Sequence, residues 1–434
     1  MRAWLRSAVV AMGVVALAGA FLAVQDTETA RAAIGDWPQW RGPARNGVSP
    51  DTGLVKQWKE GGPALAWKSN GLGGGYSSLA IVGGKIFTMG DRGNDQFLTA
   101  ASATDGKVLW TLKVGTAHHD EFGGSRATPT VDGDSVYAIG TDGDLVCADV
   151  NTGKERWRRS LPGDFGGRMM SQWKFSEPPL VDGNKVIFTP GGPNAAIAAV
   201  DKKTGKELWR SAIPDLGPKG RDGAGYSGIV ISEGAGVRQY VQMMGRGVAG
   251  FRASDGKFLW GYNRVANDVA NIPTPIVQGN YVFASTGYNT GAALLKLTKT
   301  PEGVRADEVY WMEFRTFQNH HGGLVLVGDH LYAGHGHNRG FPICIEFFTG
   351  KVKWGGDIRN GGTGSAAVTF ADGNLYFRYQ NGTMKLIEAT PAGYSEKGSF
   401  EIPGANLSWS HPVVIGGKLY LREQDNLYVY NVKQ

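Results

Sequence analysis

"TDGKVLW", residues 104–110, is a polar turn followed by a short strand that ends in tryptophan. Its glycine suits a position that needs positive φ, and the apolar and aromatic residues after it favour an extended chain. The same signature returns as "NTGKERW" (151–157), "KTGKELW" (203–209), "SDGKFLW" (254–260) and "FTGKVKW" (348–354). A motif repeated at nearly constant spacing points to one supersecondary unit used many times.

The unit is recovered by reading outward from the turn. Ahead of it lie an apolar strand, a two-residue turn with glycine and an aromatic-bearing strand, as in "PTVDGDSVYAIG" (129–140) and "PLVDGNKVIFTP" (179–190). Two further copies lack the TGK turn and end at Trp311 and Phe400, and a last copy stops at the C-terminus without its final strand. Aligned on the first hairpin, the copies give one lead-in position each: Tyr76, Arg126, Ser176, Tyr226, Ile272, His321, Ser365 and Trp409, spaced 44 to 50 residues apart. That period, with about four strands per unit, predicts an all-β fold, a single eight-bladed β-propeller. Eight starts require eight final strands, and only seven follow Tyr76. "PALAWKSN" (63–70) supplies the eighth, so an N-terminal strand is expected to complete the C-terminal blade and close the ring, removing exposed edges. The expected organisation is a signal peptide over 1–32, an N-terminal extension over 33–62 and the propeller over 63–434. Removing 33–70 should open the ring, and removing only 33–55 should be tolerated far better.

Composition agrees. The 66 glycines and 13 tryptophans favour strands and tight turns, and helical periodicity is confined to the extreme N-terminus. There Arg2 and Arg6 precede an uncharged apolar stretch from Ser7 to Val24, followed by the small-x-small sequence Ala30-Arg31-Ala32. This reads as a secretory signal, with a retained anchor as the alternative, and predicts a periplasmic or extracellular protein. With no cysteine in the segment, a lipoprotein anchor is excluded. Loss of 1–32 changes the formal charge from +6 to +5, and the remaining Lys and Arg are scattered through repeated turns, which argues against nucleic acid as a partner. No integral membrane domain is expected after cleavage, and a monomer is expected.

The DxxTGKxxW-type repeats resemble the tryptophan-docking blades of pyrroloquinoline-quinone (PQQ) dehydrogenases and of the outer-membrane assembly factor BamB. "DWPQWRGP" (36–43) and "NHHGG" (319–323) are more similar to secreted PQQ-like propeller proteins of the planctomycete type. The resemblance covers residues 36–434. It implies a propeller whose cofactor, if it is a quinoprotein, is PQQ with calcium over the central channel. Quinoprotein dehydrogenases of the methanol and ethanol type carry two adjacent cysteines, which this chain lacks. It also has no CxxCH for covalent haem.

Cys147 and Cys344 each stand six residues before the glycine of a TGK turn, four blades apart, where a disulfide cannot reach. Equivalent positions hold Ala100, Ala199 and Gly250, so both thiols are expected to fill a slot for small buried residues. "GRGVAG" (245–250) precedes a strand rather than a helix and reads as blade structure. The DGD triplets at 132–134 and 142–144 read as turns. The recurring tryptophans 67, 110, 157, 209, 260, 311 and 354 read as packing between blades, whereas Trp173 and Trp409 break the period.

Five of the eight histidines fall in "NHHGGLVLVGDHLYAGHGHN" (319–338). With Gly328-Asp329 as the hairpin turn, Val327 pairs with His330, Leu324 with Ala333, Gly322 with His335 and His320 with His337. Opposed residues have Cβ atoms about 5 Å apart, which suits imidazoles sharing an ion. His320, His321, His335 and His337 are therefore the candidate ligands for a transition metal. The competing reading is packing at the blade rim.

Three functions follow. The first is a non-catalytic scaffold that binds a small-molecule ligand or a protein at the channel mouth through Tyr76, Arg126, Trp173, Tyr226, His321 and Trp409. The second is a quinoprotein dehydrogenase acting on an alcohol or sugar. The third is a BamB-like assembly factor, against which the missing lipid-modified cysteine counts. The absence of enzymatic signatures favours the first, and no catalytic residue is assigned.

Overall fold

A computed structural model describes residues 35–434 apart from Asn406. The signal-like segment and its cleavage site lie outside the described residues. Among those described, no helix is long and apolar enough to cross a membrane.

Eight antiparallel sheets of four strands each follow one another along the chain. The first strands of successive blades lie side by side around a central axis. Blade one begins at Ala80–Val82, blade two at Thr130–Asp132, blade six at Leu324–Val327 and blade seven at Ala366–Ala371. The repeated turn performs as its sequence requires. In blade two Gly153 takes φ 70°, and its amide donates to the Asp149 carbonyl at 2.9 Å. A Cβ there would lie 2.5 Å from the Trp110 ring of the preceding blade, so glycine is needed for space as well as conformation. Trp110 Nε1 also donates to the Val150 carbonyl of that next blade at 3.2 Å.

The final tryptophans face small residues across each outer pair of strands: Ala100 opposite Trp110, Cys147 opposite Trp157, Ala199 opposite Trp209, Gly250 opposite Trp260 and Cys344 opposite Trp354. A Cβ on Gly250 would meet Trp260 Nε1 at 2.2 Å, so blade four needs glycine where its neighbours carry alanine or cysteine. Both cysteines are free and buried. The apolar core lies between adjacent sheets. One cluster joins Tyr137, Cys147 and Trp157 of blade two to Phe188 and Val200 of blade three.

The ring closes as the repeat count demands. Leu65–Ser69 pairs antiparallel with Asn426–Asn431 in the C-terminal blade, Trp67 opposite Val429. Residues 36–50 do something the repeats did not announce: they run through the central channel. Trp37, 1% exposed, exchanges both backbone hydrogen bonds with Ile81 at 2.7 Å. The Val131 amide donates to the Pro38 carbonyl. Arg45 donates to the carbonyls of Pro178 and Pro179, and Trp40 Nε1 to Thr274 Oγ1. Arg41 donates to the Leu324 carbonyl, the Phe370 amide to the Gly47 carbonyl, and Ser49 Oγ to the Val414 carbonyl. Gly228 of blade four admits the segment by lacking a side chain, since a Cβ would lie 3.1 Å from both Trp40 and Arg45. One short segment therefore meets all eight blades, contacts that the reading of 33–62 as an N-terminal extension did not include.

Candidate functional site: an aromatic cup at the channel mouth

Because the inner strands start at the mouth, the lead-in residues converge there. Seven of the eight, all but Ser365, line a single cavity of about 360 Å³. Its floor is Trp40 and Arg41 of the axial segment. The six mouth residues picked from sequence, Tyr76, Arg126, Trp173, Tyr226, His321 and Trp409, all border it.

Two aromatic walls face each other. On one, Trp409 lies 4.7 Å from Tyr76, 5.4 Å from Phe122 and 4.8 Å from His321 between ring centroids. On the other, Trp173 and Tyr226 meet edge to face at 6.1 Å, and the Tyr226 hydroxyl bonds Ser171 Oγ at 2.7 Å. Such rings offer large apolar area in rigid geometry. Arg126 sits over the Tyr76 ring at 5.7 Å and donates to the Gly124 and Phe122 carbonyls at 2.7 Å. Burial lowers its pKa, while the Asp120 charge acts in the opposite sense.

The histidines divide. His320 is 4.2 Å from His321 and 4.0 Å from His337 between ring centroids. Its Nε2 bonds the Tyr288 hydroxyl at 3.0 Å and its Nδ1 bonds Ser365 Oγ at 2.9 Å, so both ring nitrogens are hydrogen-bonded. His335 does not join them, which corrects the expected register. Val327–His330 and Leu324–Ala333 pair as read from sequence, but the ladder ends there. Gly323, at φ 83°, turns the chain away, and strand alternation puts His335 on the core face with Ala333. There it stacks on Phe317 at 6.0 Å, and its Nδ1 accepts the Gln318 amide at 3.2 Å. Among the described residues no group of three His, Cys, Asp or Glu is arranged to hold a metal ion.

Desolvation holds all these imidazoles neutral. His320 falls far below the ordinary histidine range through burial and the neighbouring His321 and His337. His321 and His411 fall to about 3, burial being the main cause in each. His321 Nε2 and Trp409 Nε1 are buried without a hydrogen-bond partner, and both residues border the cup. Sequence reading missed Trp40, Arg41, Phe122, Tyr288 and His411. "DWPQWRGP" held the first two, but no repeat marks where that segment goes. Tyr288 comes from a hairpin tip at φ 55°, bent over the cavity.

No aspartate or glutamate borders the cup. Calcium needs six to eight oxygen ligands, usually with carboxylates among them, so this donor set does not fit a calcium-held quinone.

Eight four-stranded blades around an axial cup define a PQQ-like β-propeller. A family model described as outer membrane protein assembly factor BamB matches residues 94–356, well over half the chain, and the chain belongs to that family. A curated relative, the BamB of Alkalilimnicola ehrlichii, is 26% identical over 140 residues, 31% of this chain and 32% of that protein, so the match spans about a third of the relative's length. Among solved structures, BamB from Moraxella catarrhalis has a TM-score of 0.59 at 14% identity, covering 85% of this chain and 99% of that one. A europium-containing methanol dehydrogenase gives 0.64 at 12% identity, covering 92% and 98%. Quinohemoprotein alcohol dehydrogenase from Comamonas testosteroni gives 0.63 at 12%, covering 92% and 81%. At such identities these structures share the fold.

Proposed function

We propose that this protein is a periplasmic or secreted binding propeller that takes a small ligand with a flat apolar body into the axial cup. The observation that carries the reading is the cup itself: about 360 Å³, walled by two facing aromatic groups and closed below by Trp40 and Arg41. A concave, mostly apolar cavity with a few convergent polar groups is the usual form of a small-molecule site. The location is supported by the signal-like sequence at residues 1–32 and by the family's outer-membrane description.

The quinoprotein reading has the fold in its favour and the donor chemistry of the cup against it. The test uses a neutral flat probe, 2-naphthamide, titrated calorimetrically into the wild type and Trp409→Ala. Binding weakened at least tenfold by the substitution supports the cup. An unchanged affinity in Trp409→Ala, or dye-linked alcohol oxidation after addition of PQQ and calcium, overturns the reading.

A further inference from the structure

Among the described residues four arginines are buried: Arg41, Arg45, Arg378 and Arg422. Three have acidic company. Arg378 pairs with Glu423 at 2.7 Å, Arg45 lies in the field of Glu177, and Arg422 lies in the fields of Asp425, Asp91 and Glu423. Arg41 has none. Its charged neighbour is Arg45, another cation, and its hydrogen bonds go to the carbonyls of Asn46 and Leu324. Its Nε and Nη1 are buried with no partner at all.

A buried cation without a counter-ion is costly, and a protein that keeps one normally meets it with an anion. Burial and the Arg45 charge bring Arg41 down to about 10, so the guanidinium still carries its proton at neutral pH. The surroundings favour the charge being used. Arg41 borders the cup, and the backbone at Gly323 gives way to it: a Cβ there would stand 2.3 Å from Nη1. The nearby His411 and His321 are neutral and compete for no anion. A planar guanidinium with free N–H groups matches a carboxylate.

We propose that the cup selects small aromatic carboxylates, with Arg41 of the axial segment as the counter-ion and the facing aromatic walls holding the ring. This deepens the binding reading above and rests on it. It also gives residues 36–50 a second role, since the segment that fills the channel carries the specificity-determining charge. No metal is required, because the positive charge is built into the chain.

The experiment compares 2-naphthoate with 2-naphthamide, equal in shape and differing in charge, by calorimetry on the wild-type protein at neutral pH. The expected result is at least tenfold tighter binding of the carboxylate. In Arg41→Gln that advantage, read as the ratio of the two affinities in the same variant, should disappear. Arg41→Lys should restore part of the advantage, and Arg126→Gln should reduce it less than Arg41→Gln does. The wild-type comparison stands even if the Arg41 variants fold poorly. Equal affinity for the two probes in the wild type overturns this inference and leaves the cup reading intact. A carboxylate preference that survives in folded Arg41→Gln but vanishes in Arg126→Gln overturns the role of Arg41. Absence of binding by either probe overturns both readings.

Discussion

Trp37 and Trp67 lie in the same N-terminal stretch and anchor it to the ring in different places. Trp67 sits on Leu65–Ser69, an outer strand that completes the last blade, and its side chain stays partly exposed. Trp37 is buried at the axis, hydrogen-bonded to the inner strand of blade one and packed with Leu79, Ile86 and Val413. The outer strand completes one blade and docks Trp67 and Ser69 on the Gly106 turn of blade one, whereas the axial segment reaches all eight. Rim closure is a local repair of one sheet edge. Axial filling satisfies carbonyls around the whole inner ring, and its loss exposes every blade at once.

The largest expected effect therefore falls on the axis. Deleting residues 36–50 removes the Trp37 side chain, whose truncation to alanine alone is worth about 3–5 kcal/mol. It also strips partners from the carbonyls of Pro178, Pro179, Leu324 and Val414. The deletion should cost more than about 5 kcal/mol or abolish cooperative unfolding, as denaturant titration would show. A truncation at residue 50 that unfolds like the full chain would return the axial segment to a removable extension.

Acid should come next. His321 and His411 are held near 3 in the folded protein, against an ordinary 6.5 in the unfolded chain. A depressed folded value means that the unfolded state binds protons first, so stability is full above pH 6.5 and falls as pH drops toward 3. The loss approaches about 1.4 kcal/mol per pH unit for each group once pH is well below 6.5, so the pair should cost about 3 kcal/mol between pH 6.5 and 5. The His411 ring packs on Trp40 at 4.4 Å and its Nε2 lies 3.4 Å from the His321 carbonyl, so the axis should loosen before the rim. Hydrogen exchange at pH 5 should show Trp37 and Ile81 amides opening ahead of those in Leu65–Ser69. A flat stability profile from pH 7 to 5, or the opposite order of opening, would break this distinction between axis and rim.

The same contrast explains what could be read from sequence. A missing outer strand leaves a gap in a counted period, so the strand at Trp67 and the ring closure were legible from eight starts and seven ends. The lead-in residues were legible for the same reason, as positions fixed by a repeat. A segment that crosses the axis belongs to no blade and leaves no gap, so Trp40 and Arg41 stood in a quoted motif without a place. His335 went astray by a different route. Extending a hairpin register past its last paired residue assumes a straight strand, and Gly323 bends it. Beyond that bend the two-residue alternation of its own strand decides where His335 points.

The smallest effect should come from the two cysteines, which occupy the repeated slot opposite the final tryptophans. Cys147 faces Trp157 across paired strands just as Ala100 faces Trp110, and Cys344 faces Trp354. The neighbouring blades tolerate alanine there, so the loss in Cys147→Ala or Cys344→Ala is that of one buried sulfur, about 1 kcal/mol or less by denaturant titration. Burial pushes both thiols up to about 11, which suppresses the reactive thiolate. Alkylation should accordingly be slow in the folded protein and rapid in denaturant. Blades two and six stand four apart in a ring of eight, so intact mass under non-reducing conditions should correspond to two free thiols. A mass lower by two hydrogens, or a loss above about 3 kcal/mol in either variant, would mean that the slot does more than hold a small side chain beneath an indole.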